Sequence, residues 1–393
     1  MSNHGMGGRL LKFPIYLDHQ ATTPIDPQVL EAMMPYFTEQ FGNASSTDHA
    51  YGAHASAAIE NARSEIARAI SGRPEDVVFT SGATEANNMA IIGTMTSYAH
   101  KGDHLITCAT EHKAVLNAVR YLKSIGKKVT IVPVDRDGNI KLEQIENAIT
   151  KKTVMITIMT ANNEIGTIHD IGKIGKVAHE YETIFHTDAA QAIGHINVDV
   201  KKLDVDLMSM SAHKLYGPKG VGALYIRGVK PRIHTLPIMF GGGQERGRRS
   251  GTYNVPGIVG FAKAIKIAIK KMSFEDSLFT KWNDVLLTKL ERYGSVNGTL
   301  KNRLKNNINI RFNGIEGKAI INSISNRVAI SAGSACTTQT TEPSHVLLAI
   351  GLSEEQAHSS IRIGFGRFNT SAEIDFVGNE MCRVLDNLIK VKE

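Results

Sequence analysis

Short runs of apolar residues alternate with amphipathic stretches from about residue 56 onward. Five of these runs have the length and composition of buried strands, at 77–79, 104–107, 128–132, 154–158 and 183–186. Beside them, apolar residues recur at helical spacing at 56–70, 114–124 and 142–148. This alternation predicts a mostly parallel sheet with helices on both faces.

The pattern continues for two more strands and then changes. The remaining predicted elements are strands at 207–211 and 223–226, a long helical stretch at 259–272 with two more helices after it, and strands near 307–312 and 328–332. We therefore predict a large α/β domain over residues 15–257. A smaller α+β domain is predicted over 258–393, together with the N-terminal segment 1–14.

Composition narrows the class of protein. The 393 residues are 42% apolar and 21% charged, which is ordinary for a globular chain with two domains. Apolar stretches such as 154–160 are far too short to span a bilayer, so no membrane span is predicted. Residues 1–17 contain no acidic residue, but they are short and Gly-rich, which favours a flexible arm over an import signal. Three cysteines argue against a disulfide framework and for a reducing, cytoplasmic location.

Neither charge nor histidine content indicates a second kind of function. The net charge is +7, but the basic residues are scattered, as at 263–271 and 301–305. Solvated helix faces explain them better than direct nucleic-acid binding, for which no concentrated stripe is present. The 15 histidines form no HExxH motif and the cysteines form no CxxC pair, so no metal site is predicted.

Candidate chemistry lies where predicted strands end, because ligands of open α/β sheets bind at the carboxyl ends of the strands. At 79–87 a strand runs into a Gly-containing turn and a helix, which could hold a phosphate or could simply be a capped helix. Asp188 follows the strand at 183–186 and could hold a protonated pyridine nitrogen, although a helix-capping role explains it equally well.

Lys214 gives a stronger signal. It comes just past the strand at 207–211, beside Ser211 and His213, and is followed by Gly-Pro. A structural lysine is usually placed on a solvated helix face. A lysine at a strand end, with its pKa lowered by burial or by nearby cations, can form a Schiff base.

The chain resembles a known family in ten ordered motifs. They lie at 16–24, 80–87, 110–113, 162–166, 186–191, 211–222, 241–247, 249–252, 331–337 and 357–362. The family is the cysteine desulfurases of the bacterial scaffold-assembly and mitochondrial type, which are class V aminotransferase-like enzymes dependent on pyridoxal 5'-phosphate (PLP). The motifs cover most of the chain, with the weakest agreement between about 273 and 305. The resemblance implies the fold type I of PLP-dependent transferases.

The resemblance also assigns roles around the cofactor ring. Lys214 would form the covalent link to PLP and later carry the α-proton of the substrate. Asp188 would pair with the pyridine nitrogen, and Gln191 with the phenolic oxygen. His112 would stack on the ring and act as an acid–base group.

Further roles follow for the phosphate and the substrate. Those implied for the phosphate are Thr84, Ser211 and His213 with the Ala83 backbone, and Thr252, which would reach the phosphate of the partner subunit in a homodimer. Asn163, near cofactor and substrate alike, and Arg362 would bind the substrate carboxylate. An arginine fork suits that bidentate task better than a lysine would.

Cys336 is the predicted sulfur acceptor. Residues 331–343 are small and hydroxylated, which predicts a mobile, solvated loop, whereas an unreactive cysteine is usually buried among apolar neighbours. By the same test Cys108 and Cys382 are predicted to be packing residues. The implied reaction converts L-cysteine to L-alanine and leaves a persulfide on Cys336, with His112 as proton partner. The sulfur then passes to an acceptor protein, for iron–sulfur cluster assembly or tRNA thiolation.

Several alternatives remain open at this point. The protein could be a selenocysteine lyase or another class V PLP lyase, a sulfur donor to DNA phosphorothioation, or a sulfur-relay protein without turnover. Ala332 and Ala212 depart from the residues common in the family, Ser and Gly, and both changes are minor. The chain ends at Glu393, soon after its last predicted helix, which leaves docking of an iron–sulfur scaffold in doubt.

Overall fold

The computed structural model describes residues 11–332 and 342–391. Its strands are β1 (Ile15–Tyr16), β2 (Val77–Thr80), β3 (His104–Cys108), β4 (Lys128–Val132), β5 (Thr153–Thr157), β6 (Ile184–Asp188), β7 (Leu207–Ser211), β8 (Gly222–Ile226), β9 (Gly294–Val296), β10 (Asn307–Phe312), β11 (Val328–Ala329) and β12 (Ser360–Gly364).

The α-helices are α1 (Pro27–Met33), α2 (Pro35–Thr38), α3 (Ala50–Ala69), α4 (Ala83–Asn88), α5 (Thr94–Ser97), α6 (Lys113–Ser124), α7 (Leu142–Ala148), α8 (Ile171–Glu180), α9 (Val255–Leu290), α10 (Gly317–Ile324), α11 (His345–Ala349), α12 (Glu354–His358) and α13 (Ser371–Lys390). A π-helical segment, Met89–Gly93, joins α4 to α5. Within the described ranges, no helix is long and apolar enough to cross a membrane.

A seven-stranded sheet forms the centre of the described structure, in the order β2-β8-β7-β6-β5-β3-β4. Neighbouring strands from β7 to β4 run parallel, and β8 runs antiparallel to both β7 and β2. The prediction of a mostly parallel sheet is therefore confirmed. Because β8 is antiparallel to both of its neighbours, β2 and β7 run in the same direction, and β2 ends at the same edge of the sheet as β3, β6 and β7.

Helices cover both faces of this sheet. Successive side chains of a strand point to opposite faces, and in β2 Val77 and Phe79 pack in one apolar cluster while Val78 packs in another. The first cluster contains residues of α3, α8 and α9, and the second contains residues of α4 and α6. The central strands are thus buried on both sides, which is why they read as continuous apolar runs.

The C-terminal part has its own apolar cluster and a three-stranded antiparallel sheet, β12-β10-β9. Ile15 and Leu17 pack in this cluster, and β1 pairs with β11. The expected break after residue 272 was wrong, because α9 continues to Leu290. No Gly or Pro interrupts residues 261–290, so nothing in this stretch stops the helix.

The predicted domain limits, 15–257 and 258–393, stay predictions. The boundary falls in the first turn of α9, whose Phe261 packs in the first cluster and whose Trp282 packs in the C-terminal one. Residues 1–10, most of the predicted N-terminal arm, lie outside the described residues.

Candidate active site

A cavity of about 480 Å³ lies at the edge where β2, β3, β6 and β7 end. Ten of the residues predicted from the sequence line it: Ala83, Thr84, His112, Asn163, Asp188, Gln191, Ser211, His213, Lys214 and Arg362. Thr252 is exposed and is not among the lining residues. Cys336 lies outside the described residues. The predicted residues thus come together in space, while the role of each remains a prediction.

Asp188 is the last residue of β6, and its carboxylate is held on both oxygens. Oδ2 accepts a hydrogen bond from Nδ2 of the fully buried Asn87 at 2.7 Å, and Oδ1 accepts one from the Ala190 backbone N–H at 2.9 Å. A carboxylate held in this way has a defined direction. The support from Asn87, one helical turn into the helix after β2, was missed from the sequence.

Lys214 follows β7, and its side chain reaches the segment that follows β1. Its Nζ donates hydrogen bonds to the backbone carbonyl oxygens of Gln20 and Ala21, the latter at 2.8 Å. Gln191 Nε2 also donates to the Gln20 carbonyl oxygen, at 3.0 Å. Residues 16–24 were recognised only as a family motif. The polar run His-Gln-Ala-Thr-Thr directly after a strand was the available signal that this segment lines the site.

His112 precedes α6 and caps it, since its Nδ1 accepts from the Ala114 backbone N–H at 3.1 Å. Burial lowers the pKa of His112, and the Lys214 charge lowers it further, although Asp188 opposes both effects. The neutral ring therefore carries its proton on Nε2, since Nδ1 is an acceptor. In this state the Nε2–H group can donate a hydrogen bond.

The end of the cavity near β2 is suited to an anion. Gly82 lies between β2 and α4 with φ of 150°, a conformation that L side chains rarely adopt. Ser211 and His213 lie opposite, and Lys219 adds positive charge at the mouth. Burial lowers the pKa of His213 to about 4, with Lys214 and Lys219 acting in the same direction, so this ring is neutral at physiological pH.

At the other end, Arg362 extends from β12 and is 1% exposed. Its Nη1 donates to the Asn163 carbonyl oxygen at 3.0 Å, and its Nη2 donates to Asp18 Oδ1 at 2.7 Å. No partner of its Nε is found among the described residues. The cavity therefore has a buried guanidinium at one end and hydroxyl groups with a helix start at the other.

The chain on both sides of the undescribed stretch that contains Cys336 is attached beside this cavity. Ser331 exchanges backbone hydrogen bonds with Arg362, at 2.7 and 3.3 Å. Beyond the stretch, Ser344 Oγ donates to Glu164, and His345 Nε2 lies 3.0 Å from the Glu111 carbonyl oxygen. Glu164 and Glu111, to which the chain is attached after the stretch, are the sequence neighbours of Asn163 and His112.

The other two cysteines have different surroundings. Cys108, at the end of β3, is fully buried, and burial raises its pKa well above the usual range, with the neighbouring Glu111 adding to the shift. Cys382 is half-buried in α13, and its thiol donates to the Lys289 carbonyl oxygen at 3.5 Å. Both positions fit the predicted packing role.

Comparison with known families accounts for this arrangement of fold and site. Residues 15–377 match the family described as aminotransferase class-V. The chain belongs to this family. Its members use PLP. The chain is 48% identical to the cysteine desulfurase IscS of Rickettsia typhi over 386 residues, which cover 97% of this chain and 93% of the relative.

Solved structures agree in fold. A NifS-like protein superposes with a TM-score of 0.89 at 36% identity, covering 95% of this chain and all of the other. The structure of SspA in complex with cysteine superposes with a TM-score of 0.80 at 39% identity, covering 90% of this chain and 99% of the other. The resemblance to cysteine desulfurases and the fold class drawn from it are both confirmed.

Proposed function

We propose that this class-V enzyme is a PLP-dependent cysteine desulfurase that converts L-cysteine to L-alanine and takes the sulfur onto Cys336 as a persulfide. The observation that carries the proposal is the meeting of Lys214, Asp188, His112 and Arg362 in one cavity. The similarity to enzymes named cysteine desulfurase over 97% of the chain points to the same reaction.

The residues of the cavity fit PLP by the chemistry of their groups. Asp188, held by Asn87, would pair with the pyridine nitrogen, and Lys214 would provide the amine for the aldehyde. Gln191 would donate to the phenolic oxygen, and the His112 ring would cover one face. Thr84, Ser211 and His213 would hold the phosphate together with the Ala83 backbone. When bound, PLP supplies an electron sink that stabilises negative charge at the α-carbon of an amino acid.

The substrate end of the cavity selects an amino acid by its carboxylate. Arg362 already uses Nη1 and Nη2 in hydrogen bonds to the protein, but it retains further N–H groups, including the unpartnered Nε–H. A carboxylate that reaches this buried guanidinium gains a charge-assisted hydrogen bond in a site with little water. Asn163 would contribute a second contact.

Proton movement falls to Lys214 and His112. Lys214 would take the α-proton of the substrate and return a proton to the product. His112, neutral with its proton on Nε2, would act first as a hydrogen-bond donor, and would act as an acid only after Nδ1 has taken up a proton. The Cys336 thiolate then attacks the substrate sulfur, the bond from sulfur to the β-carbon breaks, and the released carbon skeleton is protonated to alanine. Sulfur, electrons and protons balance, since one thiol and cysteine yield one persulfide and alanine.

The short sequence distance between Cys336 and a described anchor supports the role proposed for this cysteine. Ser331, which is anchored to Arg362, precedes it by five residues, and five residues span at most about 18 Å. A persulfide formed there would be passed on to an acceptor protein, in iron–sulfur cluster assembly or tRNA thiolation. Thr252, exposed and outside the cavity of its own chain, would reach the cofactor phosphate of a second subunit in a homodimer. A cytoplasmic location is part of the same proposal.

The experiment is to measure sulfide and alanine release from L-cysteine in the presence of dithiothreitol. The PLP-reconstituted protein is compared with Cys336→Ser, and Cys382→Ser serves as the matched control. We expect turnover to disappear in Cys336→Ser while the yellow cofactor is retained, and to persist in Cys382→Ser. Full-rate sulfur release by Cys336→Ser would instead indicate a lyase that needs no protein thiol.

A further inference from the structure

The carboxylate of Asp18 lies at a junction of three chain segments beside the cavity. Leu17 and His19, on either side of it, exchange backbone hydrogen bonds with Gly364, at 2.7 and 3.0 Å. Arg362 in turn exchanges backbone hydrogen bonds with Ser331. Backbone hydrogen bonds therefore fix these three segments relative to one another. They also fix the position from which the Asp18 side chain extends.

Asp18 Oδ1 is shared by two donors. Arg362 Nη2 donates to it at 2.7 Å, and Ser331 Oγ donates to it at 3.1 Å. With the Asn163 carbonyl oxygen on Nη1, the guanidinium is held at two of its three nitrogens. The third, Nε, is buried without a partner among the described residues. This unused N–H on a buried side chain lining the cavity points to a ligand as the remaining acceptor.

The guanidinium needs such support for two physical reasons. A buried positive charge without a counter-charge is strongly unfavourable, and Arg362 is 1% exposed. A long side chain must also lose its rotamer freedom before it can present a planar fork to a carboxylate. Asp18 supplies an opposite charge 2.7 Å from Arg362 Nη2, and its carboxylate is an acceptor that fixes the orientation of the guanidinium.

The same segment is clamped further along. Tyr16 Oη lies 3.0 Å from the carbonyl oxygens of both Asp18 and Thr22, and the intervening Gln20 and Ala21 carbonyls accept from Lys214. Burial, with the Asp18 charge adding to it, raises the pKa of Tyr16 to about 12, so the phenol stays protonated and continues to donate. One short segment thus contacts both the amine that would act at the α-carbon of the substrate and the guanidinium that would bind its carboxylate.

We propose that Asp18 is the positioning residue of Arg362: its carboxylate orients and neutralises the guanidinium so that the remaining N–H groups receive the carboxylate of the amino-acid substrate. The inference rests on the proposed function in one respect, namely that Arg362 binds that carboxylate. Asp18 is not a lining residue of the cavity and acts through Arg362.

The test compares ligands with and without a carboxylate. L-Alanine and its decarboxylated counterpart ethylamine are titrated into the PLP-loaded protein, with binding read from the cofactor absorbance and by calorimetry. For Asp18→Ala we expect the Kd of L-alanine to rise about tenfold or more, because the guanidinium is no longer oriented, while the Kd of ethylamine stays within about twofold. Asp18→Asn keeps an acceptor oxygen but removes the counter-charge, so its Kd for L-alanine should lie between those of Asp18→Ala and the unmodified protein.

Two results would overturn the proposal. One is a Kd of L-alanine in Asp18→Ala that matches the unmodified protein. The other is an equal loss of affinity for L-alanine and ethylamine, which would show a general disturbance of the site. Melting temperature and cofactor absorbance show whether each variant is folded. If Asp18→Ala does not fold, the Kd of L-alanine for Asp18→Asn is compared with that of the unmodified protein instead. Neither readout requires sulfur release, so failure of the proposed desulfurase activity would be seen separately.

Discussion

Burial keeps the two histidines of the cavity neutral at physiological pH. The pKa of His213 falls to about 4, and the pKa of His112 is also lowered, in both cases mainly by loss of solvent around the ring. The basic side chains that line the cavity besides these two histidines are Lys214, Lys219 and Arg362. The neutral histidines contribute hydrogen bonds instead of charge. His213 Nδ1, for example, lies 3.1 Å from Thr22 Oγ1.

Burial also predicts low reactivity for Cys108, a thiol that takes no part in the proposed chemistry. Cys108 is fully buried and its pKa is raised well above the usual range, so almost no thiolate forms near neutral pH. Because alkylation requires an accessible thiolate, native protein treated with iodoacetamide at pH 7.5 should keep Cys108 unmodified. Peptide mass spectrometry checks this, with denatured protein as the control. Labelling of Cys108 at the same rate in native and denatured protein would contradict the burial described here.

Among the elements, β8 has to approach the turn after β2 very closely. Gly222, its first residue, pairs with both Thr80 and Ser211. A Cβ at this position would lie 2.4 Å from the Met210 carbonyl oxygen and 2.7 Å from Gly82 Cα, and both are backbone atoms of strands or turns that carry the cavity. Glycine at this position is therefore required by the distance between the strands.

We expect Gly222→Ala to lower the free energy of unfolding by about 1–3 kcal/mol, as overpacking against backbone does. PLP affinity should fall as well, because the displaced Gly82 turn lines the end of the cavity that we propose for the phosphate. The matched control is Gly172→Ala in α8, where the nearest atom is 3.8 Å away and alanine should be neutral or stabilising. Denaturant titration and PLP titration check the pair. Wild-type values for both in Gly222→Ala would refute the argument.

The elements also show what sequence patterns can and cannot provide. The strands before Asp188 and Lys214 were predictable because they are short apolar runs followed at once by polar residues. The full length of α9 could have been read from the absence of Gly and Pro after residue 260. The support of Asp188 by Asn87 was not readable, since the two residues are 101 positions apart and no periodicity relates them.

The contacts of residues 18–22 show the same limit more clearly. Composition marks Asp18 and Gln20 only as polar residues after a strand. Their partners, Arg362 and Lys214, lie 344 and 194 positions away. Such pairings are fixed by the packing of the whole chain. The polar run and the family resemblance could indicate that this segment lies at the site, but neither assigned a contact to it.

On the scale of the whole molecule, Arg367 forms buried ion pairs with two distant parts of the chain. It is buried, lies 3.0 Å from Asp26 at the start of α1 and 2.5 Å from Glu275 in α9, and stacks 4.2 Å from the centre of the Tyr216 ring. Tyr216 is two residues beyond Lys214. The two ion pairs link Arg367 to the start of α1 and to α9, and the ring contact links it to the turn that carries the lysine.

Loss of this link should be costly. We expect Arg367→Ala to reduce the free energy of unfolding by about 3–5 kcal/mol, because Asp26 and Glu275 would be left buried without their counter-charge. Arg383→Ala, which removes an exposed arginine paired with Glu380, should leave stability essentially unchanged. Denaturant midpoints at one fixed protein concentration provide the measurement. Equal midpoints for the two variants would show that the buried network contributes little.

The pairing of Asp18 with Arg362 has a consequence during synthesis of the chain on the ribosome. At about 5–20 residues per second, a ribosome needs roughly 17–70 s to travel the 344 positions between them. During that time the strands of the central sheet and Lys214 are already synthesised, but the cavity still lacks Arg362. A nascent chain could therefore begin to fold around its central sheet well before the cavity has all its lining residues, and the guanidinium is added only as the last tenth of the chain is made.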